Sequence, residues 1–289
     1  MQMKRILVTG ANGQLGTSLK EQTRQYDKFV YIYLDINDLD LTNESQVRLF
    51  FDQTKIDYVI NCAAYTAVDH AETERDLAFI VNTESTGVLA AVCKENGTKF
   101  LHISTDYVFN GNAIAPYKED DPTDPQSVYG ESKREGEILA FRFNPDSIVI
   151  RTSWVYSEFG KNFVKTMIRL LHEQKSIRVV NDQWGSPTYA FDLAECIMQI
   201  ISSEKFIPGI YQFSNEGAIN WFQFAEAIKE ILDSTCAINP IPSSEYPTPA
   251  KRPAYSVMSK DKIMTLYDVK LIPWKKSLKA CIKLLTKES

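Results

Sequence analysis

The sequence predicts an α/β fold in which a doubly wound parallel sheet is joined to a smaller C-terminal lobe. Short apolar runs alternate with amphipathic segments through the first half of the chain, a glycine-rich turn follows the first apolar run, and proline and glycine become denser after Arg151. Apolar strands that alternate with helices are typical of a parallel sheet covered on both faces. We therefore expect a sheet domain over residues 1–151 and a mainly C-terminal lobe over residues 152–289, with some later segments returning to the sheet.

The first strand, residues 5–9, runs directly into a glycine-rich turn that contains Gly10, Gly13 and Gly16. Glycine allows a tight turn and lets backbone N–H groups and a helix N-terminus approach a pyrophosphate. The spacing Gly-x-x-Gly-x-x-Gly differs from the Gly-x-Gly-x-x-Gly dinucleotide fingerprint, and the absence of a following Lys-Ser or Lys-Thr excludes a P-loop. A helix through Glu21 follows, so the segment predicts a Rossmann-type site for a dinucleotide.

The second strand, residues 30–34, places Asp35 at its end, nineteen residues after Gly16. A carboxylate at this place can accept hydrogen bonds from an adenosine ribose. The same charge repels a 2′-phosphate. We therefore expect NADH to be at least tolerated as the cofactor.

The remaining elements of the first half continue the alternation. Helices are predicted around residues 45–53 and 76–95 and from near Tyr129, and strands at residues 58–61, 100–104 and 148–151. Ligands of such sheets bind at the carboxyl ends of the strands. Besides the glycine-rich turn and Asp35, the candidate residues at these ends are Ala63, Ala64, Tyr65, Thr66, Ser104, Thr105 and Asp106.

Tyr129 and Lys133 stand four residues apart in the helix that follows this fourth strand. Side chains at this spacing share one helix face. A lysine roughly 6 Å from a phenol, at an effective dielectric constant of about 20, lowers the phenol pKa by roughly two units. A phenol tuned in this way can give a proton to a carbonyl oxygen while a reduced nicotinamide gives a hydride. The pair therefore predicts a catalytic acid with its partner.

The C-terminal half is rich in prolines but contains two amphipathic helical patterns. Residues 189–202 carry aliphatic side chains on one side, and Asn220 is placed to cap a helix that bears Phe224 and Ile228. We expect both helices to turn these side chains into a core.

Composition limits the classes of partner. A net charge of −5 and a pI near 5.4 speak against nucleic acid or an anionic membrane as the main partner. The first strand begins within a few residues of Met1, and we expect no apolar stretch of membrane-spanning length, which favours a cytoplasmic protein. The five cysteines lack metal-ligand or redox spacing, so no metal site is predicted.

Several motifs together resemble a known family. The glycine-rich turn, the segment Ser104-Thr105-Asp106 and the pair Tyr129-x-x-x-Lys133 resemble the extended short-chain dehydrogenases/reductases. Residues 61–69, 151–156, 181–188 and 246–253 closely resemble the dTDP-4-dehydrorhamnose reductase family, so the resemblance spans nearly the whole chain. That family reduces the C4 ketone of dTDP-4-dehydro-L-rhamnose with NADPH or NADH, giving dTDP-L-rhamnose for cell-surface polysaccharide.

The resemblance implies roles for individual residues. Tyr129 would be the proton donor, Lys133 would hold the nicotinamide ribose and lower the phenol pKa, and Thr105 would share its hydroxyl proton with the sugar oxygen. The pyrophosphate turn would comprise Gly13, Gln14 and Leu15, and the adenine and ribose would be lined by Asp40, Leu41, Ala64, Tyr65 and Thr66. The sugar nucleotide, a dTDP-sugar, would contact Thr105, Asp106, Trp154 and Arg252.

The sequence also departs from the family. Some members bridge two subunits through Mg²⁺ held by acids, one of them early in the first helix, but residues 17–20 here contain no acid before Glu21. A metal-bridged dimer is therefore not expected, while a homodimer of another kind stays open.

Three alternative functions have to be distinguished from this reductase activity. A related 4,6-dehydratase needs an acid directly after Thr-Asp, where this chain has Tyr107. An epimerase must release and rebind a rotated 4-keto sugar, and the sequence does not test for that rotation. Regulatory subunits of methionine adenosyltransferase also resemble this family and mainly bind a partner enzyme, although the retained Tyr129 and Lys133 weigh against that role.

Overall fold

In the computed structural model, which describes residues 3–22 and 25–287, a sheet occupies the centre of the molecule. The strands are β1 Lys4–Thr9, β2 Phe29–Leu34, β3 Tyr58–Asn61, β4 Lys99–Thr105, β5 Ile148–Thr152, β6 Val155–Tyr156, β7 Ser176–Val180, β8 Trp184–Gly185, β9 Thr188–Tyr189, β10 Gly209–Gln212, β11 Ile219–Asn220 and β12 Ala237–Ile241.

The helices alternate with these strands. They are α1 Gln14–Gln22, α2 Glu44–Gln53, α3 Val68–Ala71, α4 Arg75–Phe79, α5 Ser85–Glu95, α6 Val128–Phe143, α7 Phe163–Glu173, α8 Ala190–Ser202, α9 Trp221–Leu232, α10 Asp261–Tyr267 and α11 Trp274–Lys287. Short 3₁₀ turns lie at Asp106–Val108 and Ser243–Glu245, and a turn of π-helix lies at Ile80–Glu84.

Six strands form the central sheet in the order β2-β1-β3-β4-β5-β10, and all neighbours are parallel. Side chains alternate across it: Ile6 and Val8 face a core that includes Leu193 and Ile197 of α8, whereas Leu7 faces a core built with α2 and α5. Both faces are therefore covered by helices, and the predicted doubly wound α/β fold is confirmed. Predicted strand ends differ from the observed ones by at most one residue.

The helix predicted over residues 76–95 is interrupted. The π-helical turn Ile80–Glu84 separates α4 from α5, and it packs against α6. Within the described ranges, Arg75–Glu95 is the one helical stretch long and apolar enough by length and composition to cross a membrane, which differs from the expectation that no stretch would pass that test. Its window is 56% buried inside the protein, and buried core helices pass the same test.

The C-terminal lobe has its own core. Side chains of α7, α9 and α11 pack together there beside the parallel pair β7 and β12. Asn220 caps α9 as expected: its side chain accepts from the Gln223 N–H at 2.8 Å, and the Gln223 side chain accepts from the Asn220 N–H at 3.1 Å. Although they follow residue 151, β10 pairs with β5 and α8 packs on α1.

Candidate active site

A cleft of about 940 Å³ opens at the carboxyl ends of the central strands. The strand order reverses between β1 and β3, and such a reversal creates a crevice in which doubly wound sheets bind ligands. Most candidate residues line this cleft: Gly10, Gly13, Gln14, Leu15, Gly16, Asp35, Asp40, Leu41, Ala63, Ala64, Thr66, Thr105, Asp106, Tyr129, Lys133 and Trp154. Tyr65 and Arg252 are not among its lining residues.

The glycine-rich turn brings backbone close to backbone. Gly10 has a φ of +63°, and a Cβ there would lie 2.7 Å from the backbone of Ala63. A Cβ on Gly16 would lie 2.4 Å from the Gly10 carbonyl oxygen. Glycine is therefore needed at both positions, and the turn delivers the N-terminus of α1 to the cleft, where it fits a pyrophosphate.

Two carboxylates, Asp35 and Asp40, line the cleft together with this turn. Asp35 accepts N–H groups from Asn12 and Ile36, both at 2.8 Å. Asp40 accepts from the backbone and hydroxyl of Thr42, at 2.9 and 2.7 Å. Among the described residues that line the cleft, the cations are Lys133 and Lys161, and neither belongs to the segment around Asp35 and Asp40.

The end of β4 forms a tight polar turn. Thr105 accepts from the Tyr107 N–H at 3.2 Å, and its hydroxyl donates to Asp106 Oδ1 at 3.1 Å. Asp106 is 1% exposed, and its Oδ2 has no hydrogen-bond partner among the residues that the structure describes. Burial raises the pKa of Asp106 to about 6, although the hydroxyls of Ser256 and Thr105 partly offset the rise. The turn thus presents a hydroxyl and a weakly acidic carboxyl to the cleft.

Tyr129 reaches this turn from the first turn of α6. The helix is capped by Ser127, which accepts from the Gly130 N–H at 3.2 Å. A Cβ on Gly130 would lie 2.3 Å from the Tyr107 carbonyl oxygen, so glycine lets the helix lie directly against the turn. The rings of Tyr107 and Tyr129 meet edge to face at 5.5 Å. Thr105 and Tyr129 are thereby brought together.

The pKa of Tyr129 differs from the expectation. Burial raises it to about 12, a hydrogen bond with Thr105 lowers it, and the charge of Asp106 raises it. Lys133 does not produce the predicted lowering, because its amino group is turned away to His102 Nε2 at 3.1 Å and to the Ile103 carbonyl oxygen at 2.7 Å. Burial also lowers the pKa of Lys133, to about 8, against the opposing charge of Glu137. Desolvation of the phenol is therefore the largest effect on its pKa.

Asn82 is a buried residue next to the site that the sequence predictions do not include. It lies in the π-helical turn, accepts from the Tyr65 N–H at 2.8 Å, and donates to the Tyr65 carbonyl at 3.1 Å and to Ser132 at 2.9 Å. The backbone of Tyr65 is thereby fixed while its hydroxyl bonds to Glu74, away from the cleft. The sequence feature that could have identified Asn82 is an amide side chain within an apolar helical segment. The structure adds the π-helical turn, and such turns often mark functional sites.

Trp154 lines the cleft from the second lobe in a strained conformation. Its φ is +49°, and its ring stacks on Trp221 with centroids 3.5 Å apart. A Cβ on Gly185 would lie 2.6 Å from the Trp154 ring, so that glycine makes room for it. Trp221 covers one face of the indole, so the expected contact with the sugar nucleotide has to use the rest of the ring.

Arg252 is held by Asp69 and is not among the lining residues of the cleft. Its guanidinium forms a two-point salt bridge with Asp69 at 2.9 and 2.8 Å and also donates to the Ala250 carbonyl at 3.3 Å. The hydrogen bonds from Arg252 hold the pKa of Asp69 below its usual value. The guanidinium lies outside the cleft lining because this carboxylate at the start of α3 already binds it.

Gln14 joins the glycine-rich turn to the second lobe. Its side-chain oxygen accepts from Ser157 at 3.1 Å and from Asn162 at 2.9 Å, and its amide donates to the Val155 carbonyl at 3.4 Å. The sequence predicts that Gln14 belongs to the pyrophosphate turn, but it does not indicate these side-chain contacts to the other lobe. They bring the neighbouring Lys161 to the cleft wall.

Comparison with known proteins agrees with this geometry. Residues 3–287 match the family model described as RmlD substrate binding domain. The chain is 41% identical to a dTDP-4-dehydrorhamnose reductase of Aggregatibacter actinomycetemcomitans over 96% of this chain and 98% of that protein. Among solved structures, it is similar to a dTDP-4-dehydrorhamnose reductase of Clostridium acetobutylicum, with a TM-score of 0.94, 40% identity, and coverage of 98% of this chain and 99% of that one. A Bacillus anthracis dTDP-4-dehydrorhamnose reductase in complex with NADP gives a TM-score of 0.93 and 37% identity, with 98% of this chain and 100% of that one covered. The chain therefore belongs to the RmlD family, to which its motifs pointed and which includes the dTDP-4-dehydrorhamnose reductases.

Proposed function

We propose that this protein reduces the C4 ketone of dTDP-4-dehydro-L-rhamnose to dTDP-L-rhamnose, with NADPH or NADH as hydride donor and Tyr129 as proton donor. The observation that carries the proposal is the approach of Tyr129 to Thr105 in the wall of a cleft whose other end is the glycine-rich turn. The names of the relatives supply the substrate, and the NADP bound to the Bacillus anthracis protein supports the cofactor.

The cleft suits a nicotinamide dinucleotide. The backbone around Gly10 and Gly16 and the N-terminus of α1 would hold the pyrophosphate, and Asp35 and Asp40 would face the adenosine end. Lys133 would hold the nicotinamide ribose beside Tyr129. The bound cofactor supplies the hydride that reduces the ketone carbon.

The chain's own residues supply the proton. With its pKa raised to about 12, Tyr129 carries its proton throughout the neutral range and can donate it to the carbonyl oxygen. The Thr105 hydroxyl, whose hydrogen bond lowers that pKa, would stabilise the tyrosinate left after the transfer by turning its proton from Asp106 to the phenol oxygen. Asp106 and Trp154, which line the same cleft, would contact the sugar nucleotide. A cytoplasmic location, which the sequence favours, fits such a soluble nucleotide-sugar substrate.

The direct test is the oxidation of NADH and NADPH, followed by absorbance, with dTDP-4-dehydro-L-rhamnose as substrate and NMR identification of the product. We expect one cofactor oxidised per dTDP-L-rhamnose formed. A change of sugar stereochemistry without net cofactor consumption would identify an epimerase. Cofactor binding without any turnover would overturn the reductase proposal and favour a regulatory role.

A further inference from the structure

Four buried polar side chains form a continuous chain beneath the cleft. Thr9 Oγ1 lies 2.7 Å from Asn61 Oδ1, Asn61 Nδ2 lies 3.0 Å from His102 Nδ1, and His102 Nε2 lies 3.1 Å from Lys133 Nζ. These residues belong to β1, β3, β4 and α6, and each is at most 2% exposed. Thr9 and Lys133, at the two ends, line the cleft.

The roles of donor and acceptor along this chain depend on the charge of Lys133. An amine can accept from a protonated Nε2 of His102; Nδ1 then accepts from the Asn61 amide, whose oxygen accepts from Thr9. An ammonium can only donate, so Nε2 must accept, Nδ1 carries the proton, and the Asn61 oxygen must turn toward it. Every side chain keeps its partners in both arrangements, which matters because an unpaired buried polar group is costly.

We propose that His102 is a positioning residue for the reductase reaction, and that its neutral imidazole, together with the Asn61 amide, exchanges donor and acceptor roles to hold Lys133 in place in both charge states. The inference rests on the proposed function for its catalytic consequence. The hydrogen-bond chain itself does not depend on which ketone is reduced.

Other titratable groups around Lys133 do not replace His102. Glu137 lies one turn further along α6, but its carboxylate is paired with Arg151 of β5 at 2.7 and 2.8 Å. Cys62 follows β3, and burial raises the pKa of its thiol to about 12, so it carries no charge at neutral pH. Tyr129, one turn before Lys133, is likewise neutral because its pKa is raised. Among the described side chains, His102 is the one hydrogen-bonded to Lys133 Nζ.

The first test reads the tautomer of His102 directly. The chain has three histidines, so the protein labelled with ¹⁵N-histidine contains three rings, and the exposed His70 and His172 serve as internal references. His102 should stay neutral, with the proton on Nδ1 at about pH 6 and increasingly on Nε2 as Lys133 loses its charge near pH 8.

The variant Lys133→Met should abolish the pH dependence of the His102 tautomer. A His102 ring that becomes an imidazolium near its usual pKa, or one tautomer that persists across the titration of Lys133, would overturn the proposal. These spectra are recorded without sugar nucleotide, so they decide the role of His102 even if the protein proves inactive toward the proposed substrate.

The second test compares His102→Leu with His102→Gln in the pH dependence of kcat/KM. Leucine removes the acceptor for the ammonium and so favours loss of the Lys133 charge. We therefore expect the alkaline limb of kcat/KM, where Lys133 loses its proton, to move about one unit to lower pH. Glutamine keeps an acceptor and should leave the limb near its wild-type position. A loss of folded protein would lower activity equally at every pH, so an unmoved limb in His102→Leu contradicts the proposal. If His102→Leu does not fold, the wild-type spectra decide.

Discussion

The guanidinium of Arg252 and the carboxylate of Asp69 form a two-point salt bridge, with N–O distances of 2.9 and 2.8 Å. Asp69 belongs to α3, directly after the β3 end of the cleft, whereas Arg252 lies in a proline-rich loop of the C-terminal half. By resemblance to the family, the loop that contains Arg252 is expected to face the nucleotide. The salt bridge therefore joins this loop to α3, on the cofactor side of the molecule. Two parallel charge-assisted hydrogen bonds fix geometry as well as distance.

Arg252→Ala should raise KM for the sugar nucleotide by about tenfold or more while KM for NADH changes little, because both the tether and a charge suited to a diphosphate are lost. Asp69→Asn is the matched control, since it breaks the tether and keeps the guanidinium. We expect KM for the sugar nucleotide to rise less in Asp69→Asn than in Arg252→Ala. Equal weakening of both ligands in Arg252→Ala would mean that the loop does not serve the nucleotide.

Tyr129→Phe should lower turnover by roughly 10² to 10⁴, the usual effect of removing a positioned acid, without changing the affinity for NADH. Tyr107→Phe is the matched control, because its ring packs edge to face on Tyr129 in the same cleft. Single-turnover rates and NADH titrations would be measured for both. A phenylalanine at 129 that leaves the chemical step unchanged would remove this residue as the proton donor.

The sequence predicts the parallel sheet and most of the cleft because both depend on local patterns. The apolar strands and the glycine spacing are contiguous in the chain, and the carboxyl ends of parallel strands meet by geometry. The positions of Tyr65 and Arg252 depend instead on partners far along the chain, Asn82 and Asp69, which no local pattern identifies. The sequence predicts a lowered pKa for Tyr129, whereas burial of the phenol raises it. The spacing of the two residues indicates the distance to Lys133 but not how deeply the phenol is buried.

Asp35→Asn should raise kcat/KM with NADPH relative to NADH by about tenfold, because it removes a negative charge opposed to the 2′-phosphate while keeping an oxygen that can accept the Asn12 N–H. Asp38→Asn removes the same charge three residues away; its carboxylate binds the Asp35 N–H at 2.9 Å and does not line the cleft. The ratio of the two specificity constants should stay near the wild-type value in this control. An unchanged ratio in Asp35→Asn would show that Asp35 does not contact the ribose.

Gly130→Ala should lower both stability and turnover although no reacting group is altered. Its Cβ would lie 2.3 Å from the Tyr107 carbonyl oxygen, so α6 has to move away from the turn and take Tyr129 with it. We expect a loss of about 1 to 3 kcal/mol in unfolding free energy and a fall in kcat of roughly ten- to hundredfold.

Gly87→Ala is the matched control for Gly130→Ala. Its Cβ would meet the movable side chains of Leu139 and Phe143 at 3.0 to 3.4 Å, so stability should change less and kcat should stay near wild type. Thermal unfolding and initial rates measure both effects. Full activity of Gly130→Ala would mean that Tyr129 tolerates a shift of its helix.

Asp106→Asn should stabilise the protein at neutral pH and not at low pH. Burial raises the pKa of Asp106 to about 6 in the folded state, whereas an unfolded aspartate titrates near about 3.9. Below both values the side chain is neutral in both states. As pH rises between them, the unfolded chain ionises first, so stability falls until the folded pKa is passed.

Asparagine cannot ionise, so the variant should exceed the wild type by roughly 1 to 3 kcal/mol at about pH 7.5, and this advantage should vanish near pH 4. Asp69→Asn should change stability at neutral pH in the opposite direction, because Arg252 holds the pKa of Asp69 below its usual value. That carboxylate stabilises the fold above its unfolded pKa, and the contribution is lost as pH falls through its folded pKa, so the variant should be less stable than wild type at neutral pH and approach it in acid. Urea denaturation across this pH range measures both differences. A difference between Asp106→Asn and wild type that does not vary with pH would mean that Asp106 is ionised as easily in the folded cleft as in water.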